Sequence, residues 1–338
     1  MESSGVIAAS VIDGLLSTID NRGMDRQALA ARVGIGDAAL FKAQHFLPLT
    51  TFTSILEIAA EEKNDPLLAL SLGKLFKFDG LGTVARVFRT APTLGDGIEK
   101  FVRYFPALQS NTKSALDIEN GLARFSYSIK DATIRHRVQD AAFTEMVFCS
   151  MLEAVIGDGW RPSCVDFEHL PGEHLAIYQS HFACPLRFGR RENAIFLPAR
   201  YLDQPLDQHD FRLQARLETE LSELIDGEDA RLDLITSIKA WITAALCRSA
   251  SLDIEYAAHD FGMSLRSFQR KLSELGVNYA DIRNSVRMQI ARSMLASTGL
   301  PIPVISQYLG YSEPSAFCRS FKHLTGDTPV GYRQRRVH

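Results

Sequence analysis

Several things are scarce in this chain of 338 residues, and each shortage removes a class of function. The five cysteines, at 149, 164, 184, 247 and 318, are odd in number, scattered and free of CxxC spacing. They suit neither a disulfide frame nor a zinc site and read as reduced, mostly buried thiols of a cytoplasmic protein. No apolar run approaches the roughly 20 residues needed to span a bilayer. The opening MESSGVIAASVIDG has no positive segment ahead of its mildly apolar stretch, so no secretory leader is expected. The spacings GxSxG, GxGxxG, HExxH and the Walker-type loop are all missing, so the expectation is no catalytic residue, no cofactor and no metal. His169, His174 and His181 lie close in sequence, but their spacing does not put three rings on one helix face, and no Cys or acid completes a tetrahedron. Cys149 and Cys164 have no base partner nearby in sequence, which makes them structural thiols.

What is present starts with size and charge. A length of 338 residues is long for a single core, so two domains are expected. Residues 251–338 hold 11 Lys+Arg against 7 Asp+Glu, whereas the rest of the chain holds 26 against 33. A basic tail on an acidic body points to a polyanionic partner for the tail alone. The imbalance is modest, and a solvated charged face would look the same.

The two parts also differ in texture. Residues 5–110 carry helical spacing in FTSILEIAAEE (52–62), PLLALSLGKLF (66–76, with Asp65 as its expected N-cap) and TLGDGIEKFVRYFPAL (93–108, starting at Thr93). Alternation on both sides of Asn120-Gly121 in 114–130 signals a hairpin. A helix is expected over 136–157 and another over 173–183, between strands at 163–170 and 194–202. The stretch ALAARVGIGDAALF (28–41) imitates a helix-turn-helix, but its outer face offers only Arg32 and Lys42, so packing in the core is expected. Residues 1–205 therefore read as one α+β domain with a small sheet. In 210–225 the residues Leu213, Leu217, Leu221 and Leu224 form one stripe, either a seam against its own domain or a homodimer seam. GEDA (227–230) is the candidate hinge, which makes 206–231 a linker.

The remainder, 232–338, reads as all α. A helix around 254–261 stops at Gly262, Ser264 can cap the next, and Phe268 and Leu272 then face inward while Arg266, Gln269 and Arg270 face out. The same grammar recurs. A helix around 303–309 stops at Gly310, Ser312 is the expected cap, and Phe317, Phe321 and Leu324 face inward. Ser315, Cys318, Arg319 and Lys322 are left outside. Between these units, about 252–273 and 302–324, residues 279–298 can form one connecting helix. A B-DNA major groove about 12 Å wide accepts one helix, and two units on a rigid spacer can enter successive grooves.

These residues carry a family resemblance. The run IPVISQYLGYSEPSAFCRSFKHLTGDTPVGYR resembles the DNA-binding domain of the AraC/XylS transcription regulators over about 232–338, through its Gly-aromatic-Ser turn, its Phe317/Phe321 pair, and Gly326, Pro329, Tyr332 and Arg333. The resemblance implies a leading helix at 232–247 and DNA contacts from Ser264, Leu265, Arg266, Gln269, Arg270, Pro314, Ser315, Cys318, Arg319 and Lys322. Pro314 departs from common forms and cannot hydrogen-bond a base, so the second unit is expected to grip phosphate more than to read sequence. Residues 1–205 resemble the effector domain of the OruR/VirS-like branch, through AAEEKNDPLLALSLGKL, LGTVARVFRTAPTLGDGIEKFVRYF and FACPLRFGRRENAIFLPARYLDQPL. The implied function is a DNA-binding activator that senses a small molecule and works with RNA polymerase; the effector and its binding residues are unknown. The alternative is a metabolite-binding protein or enzyme whose helical tail does not read DNA. A third reading is a constitutive DNA-binding protein with a structural N-terminal domain.

Overall fold

The computed structural model describes residues 5–35, 46–131, 133–134, 136–226 and 234–336. Near the start, β1 (Val6–Ala8) pairs antiparallel with β2 (Phe46–Pro48), a short ribbon that the apolar spacing of this region did not reveal. Helices α1 (Ala9–Asp20), α2 (Arg26–Arg32) and α3 (Leu49–Lys63) follow from it. Asp25 caps α2 by accepting from the amides of Gln27 and Ala28. Asp65 does not cap the next helix. Its Oδ1 accepts from the amide of Leu67 in a preceding turn, and α4 (Leu68–Leu75) starts later, capped by Leu67 with no side-chain bond. Then come α5 (Gly82–Arg89) and α6 (Leu94–Tyr104), with Thr93 accepting from the Asp96 amide as its cap.

Asn120 and Gly121 take φ of 52° and 77°, the two positive values that a two-residue hairpin turn demands. They join β3 (Thr112–Glu119) to β4 (Leu122–Ile129) in full register. After α7 (Val138–Ile156) the sheet is completed by β5 (Cys164–Asp166), β6 (Leu186–Arg187) and β7 (Asn193–Pro198), in the order β3-β4-β7-β5-β6. Only β5 and β6 run parallel. The strands expected at 163–170 and 194–202 are both shorter than their apolar runs, the second turning into a 3-10 helix over Ala199–Asp203. α8 (Leu175–Phe182) lies between β5 and β6 in sequence. One face of the sheet packs on α7, where Phe125 and Phe148 stack at 4.4 Å and Phe101 meets both edge-on. On its other side α7 packs along α4.

α9 (Phe211–Asp226) lies on α5 and buries Leu217 and Leu221 there, with Leu213 half-buried and Leu224 at the rim. Of the two readings of the leucine stripe, the seam within its own chain is the one these side chains make. The GEDA segment lies outside the described residues. Beyond it come α10 (Leu234–Cys247), α11 (Ile254–Asp260), α12 (Leu265–Glu274), α13 (Tyr279–Ser297), α14 (Ile302–Tyr308), α15 (Pro314–Thr325) and α16 (Pro329–Arg336). Their core is built from Trp241, Phe268, Met294, Phe317 and Phe321.

The two cores touch. α2 packs on α13 and α3 on α10, so that Ala31 belongs to the C-terminal core and Cys247 to the N-terminal one. The first half of the 28–41 stretch is thus packing, as expected, but it packs across both cores; residues 36–45, Lys42 among them, lie outside the described part. Among the described residues no helix is long and apolar enough to cross a membrane. Nor does any group of three or more His, Cys, Asp or Glu stand where it could hold a metal.

Candidate nucleic-acid interface

Each of the two C-terminal units is built on the same turn. Gly262 and Gly310 have φ of 64° and 70°, which any side chain would strain. The Gly262 amide bonds the carbonyl of His259 and the Met263 amide that of Ala258. In the second unit the Gly310 amide bonds Gln307 and the Tyr311 amide bonds Ser306, with the same offsets. Two separate segments thus converge on one backbone solution for stopping a helix and redirecting the chain.

The helices that follow are held by aromatic contacts. Phe268 lies 5.7 Å from Phe261 and 6.2 Å from Tyr279, and Phe317 lies 5.6 Å from Tyr311 and 5.7 Å from Phe321. Phe268, Leu272, Phe317 and Phe321 are all buried, as their spacing predicts. Leu324 is not: it is 47% exposed, because α15 ends one residue later and its last turn runs out past the core. The caps differ as well. Ser264 accepts from the Ser267 amide at 3.2 Å and starts α12. Ser312 caps nothing. The N-cap of α15 is Glu313, without a side-chain bond, because Pro314 occupies the first helical position. There its missing amide costs no hydrogen bond.

Arg266, Gln269 and Arg270 on α12 are exposed, and so are Pro314, Ser315, Arg319 and Lys322 at or along α15. Leu265 and Cys318 are half-buried at the edges of these faces. Arg270 Nε stands 3.6 Å from Glu274 Oε1, an exposed pair that solvent screens heavily. α13 connects the units over 19 residues, about 28 Å at the α-helical rise. It is pinned at its start and near its middle: the Tyr279 hydroxyl donates to the Leu252 carbonyl at 3.0 Å, and Arg287 Nη2 donates to the Gly310 carbonyl at 3.1 Å. Burial lowers the pKa of Arg287, and its guanidinium lies 4.7 Å from the Tyr311 ring centre. The Trp241 indole donates to Asp260 at 3.0 Å and ties α10 to the end of α11.

The remaining signature residues have structural roles. Gly326 is the left-handed C-cap of α15 at φ 79°, and Pro329 opens α16. Tyr332 packs on Phe321 at 5.6 Å, and Arg333 Nη2 donates to the Leu300 carbonyl at 2.6 Å. Arg335 of the terminal RQRR run is paired with Asp327.

Sequence reading missed the residues that tie this unit to the N-terminal part. The Tyr308 hydroxyl donates to the Arg32 carbonyl at 2.8 Å and lies 3.2 Å from Cys247 Sγ. The Arg32 guanidinium sits 5.2 Å from the Tyr308 ring centre, and Gln289 Nε2 donates to the Gly34 carbonyl at 3.1 Å. In sequence Tyr308 is one more residue at helical spacing, and nothing local marks its distant partner.

Comparison with known proteins agrees with this geometry. Residues 23–206 match the family described as the N-terminal arabinose-binding domain of AraC transcription regulators, and residues 257–335 match a helix-turn-helix domain. The chain is 27% identical to the HTH-type transcriptional regulator VirS of Mycobacterium tuberculosis, over 98% of both chains. It is 24% identical to the ornithine utilization regulator of Pseudomonas aeruginosa, over 97% of this chain and 96% of that one. The HTH-type transcriptional regulator VqsM of the same organism is 32% identical over 78% of this chain and 82% of its own length. The chain belongs to the AraC family of transcription regulators, as a DNA-binding regulator with an N-terminal effector domain.

Proposed function

We propose that α12 and α15 enter successive major grooves on one face of a duplex, α12 reading bases and α15 mainly gripping phosphate. The observation that carries this is the repeated turn at Gly262 and Gly310, each followed by a helix with a buried i/i+4 apolar pair, Phe268/Leu272 or Phe317/Phe321, and an exposed polar face. Arg266, Gln269 and Arg270 can bond base edges bidentately. Ser264 and Leu265 sit at the start of that helix. On α15 the exposed Ser315, Arg319 and Lys322 suit phosphate, Cys318 is recessed, and Pro314 brings no donor.

In this reading residues 1–205 bind the effector, 206–231 link, and 232–338 bind DNA. The protein acts in the cytoplasm as an activator without catalytic chemistry, in contact with RNA polymerase. A homodimer through 210–225 would use the outward side of α9, where Phe211 is 75% exposed, since Leu217 and Leu221 are already covered. A gel shift on the protein's own promoter region at two salt concentrations tests the DNA reading. Affinity should fall steeply as salt rises, in proportion to the phosphates contacted. Binding that ignores salt, or that does not distinguish promoter from random DNA, would reject it.

A further inference from the structure

Two acids of α7 are buried inside the N-terminal domain: Glu145 is 0% exposed and Asp140 is 2% exposed. Neither oxygen of Glu145 has a hydrogen-bond partner among the described residues, and Asp140 Oδ1 has none either. A buried carboxyl with unused lone pairs is costly, and a protein keeps one where something else supplies the missing partner. Asp140 Oδ2 accepts from the Tyr127 hydroxyl at 3.1 Å, and that hydroxyl accepts from Gln109 Nε2 at 2.7 Å.

Gln109 borders a cavity of about 40 Å³, walled by the rings of Phe52, Phe101, Phe105, Phe143 and Phe148. Thr144 borders it too, and Asp140 stands one turn earlier on the same face of α7. Val147 separates the cavity from an outer cleft of about 610 Å³ that Phe78, Phe88 and Met151 border. The cleft is closed on one side by residues 204–208, which run directly into α9.

The chemistry of these walls selects a charge. Aromatic faces attract cations. The Gln109 amide oxygen and the Thr144 hydroxyl can accept N–H bonds, and a carboxylate behind them supplies the opposite charge. An anion would meet the charge of Asp140, which reaches Gln109 through Tyr127; an uncharged alcohol would gain nothing from it. About 40 Å³ is room for roughly three water-sized groups, enough for a charged head and a short chain. A longer body would continue past Val147 into the cleft.

We infer that this cavity binds a small organic ammonium ion, its N–H groups on Gln109 and Thr144, its body over the phenylalanine faces and its charge balanced by Asp140. The inference deepens the effector reading and rests on it only for the step from binding to regulation. The test is thermal melting of the full chain with n-propylammonium, n-propanol and propionate, three probes of one length at matched concentration and ionic strength. A ligand that binds only the folded state raises the melting temperature. Propylammonium should raise it by several degrees and the other two should not. In Asp140→Asn the propylammonium shift should disappear. Equal shifts with propanol, no shift with propylammonium, or a full shift retained in Asp140→Asn would each overturn the proposal. The three-probe comparison uses the parent protein, so it decides whether or not the variant folds. Promoter affinity measured with and without propylammonium then separates the two claims: an ammonium-selective melting shift with unchanged affinity keeps the site and removes its effector role.

Discussion

Arg270 illustrates how a residue acts through what it is free to reach. Its partner Glu274 is exposed and 3.6 Å away, a pair worth about 0–1 kcal/mol, so DNA can displace it. Arg270→Ala or Gln269→Ala should cost about 1–3 kcal/mol on the cognate site and much less on random DNA. Equal losses on both, in titrations at fixed salt, would show phosphate contact only. Asp140 makes the opposite case, a residue defined by isolation. Burial pushes its pKa up to about 7, against a stabilising bond from Tyr127 and in the field of Glu168, Arg137 and Glu57. A carboxyl with a raised folded-state pKa favours folding fully below its unfolded value near 4, and that contribution is lost as pH rises through about 7. The parent should therefore lose stability from about pH 4 to about pH 7, and Asp140→Asn should flatten part of that slope. Urea midpoints across the range measure it. Parallel profiles for the two proteins would mean that folding does not shift the Asp140 carboxyl.

At the scale of elements, local chemistry was legible in the sequence and distant chemistry was not. The hairpin at Asn120-Gly121, the caps Thr93 and Ser264 and the turns at Gly262 and Gly310 each need only their immediate neighbours, and each is where its residues indicated. Ser312 misled because a serine two residues before a proline looks like a cap; Pro314 takes the first helical position and leaves Glu313 in the cap. Glu313→Ser should therefore stabilise the protein by about 1 kcal/mol, read as a higher melting temperature, and no gain would show that α15 does not limit unfolding. The leucine stripe was visible as a stripe, but helical spacing cannot say which surface covers it. It is α5, so Leu217→Asp buries a charge and should lower stability by more than about 3 kcal/mol. Phe211→Ser, on the exposed side, should leave stability nearly unchanged, and sedimentation of that variant tests the dimer through 210–225. The sheet order and the β1–β2 ribbon were hidden because strands of two or three residues carry no period of their own.

For the whole molecule the decisive feature is that the N-terminal part grips the DNA-binding part through α10, α13 and α14. Tyr308 and Gln289 lie on α14 and α13, and their partners Arg32 and Gly34 lie at and just past the end of α2, while Cys247 of α10 packs in the N-terminal core. Burial pushes the Tyr308 hydroxyl pKa up, which favours the protonated, donating form. Its bond to the Arg32 carbonyl joins the helix that opens the second unit to the effector domain, while the first unit is reached through α13 and through α10, which Trp241 ties to α11. An effector that alters the N-terminal domain can shift DNA binding only by the energy that passes through such contacts, typically about 1–3 kcal/mol. Tyr308→Phe combined with Gln289→Ala removes the hydrogen bonds to the Arg32 and Gly34 carbonyls and leaves the Tyr308 ring in place. The parent should melt in a single calorimetric transition, because the Tyr308 and Gln289 hydrogen bonds add to the packing of Ala31 and Cys247 across the two cores. The double variant should melt in two, the N-terminal and C-terminal cores now unfolding separately. Its affinity for the promoter should change less between effector-free and effector-bound protein than the parent's does, since two hydrogen bonds between the domains have been removed while the faces of α12 and α15 are untouched. A single transition retained in the double variant, with an undiminished effector response, would place the coupling elsewhere, in the α3–α10 contact or the linker.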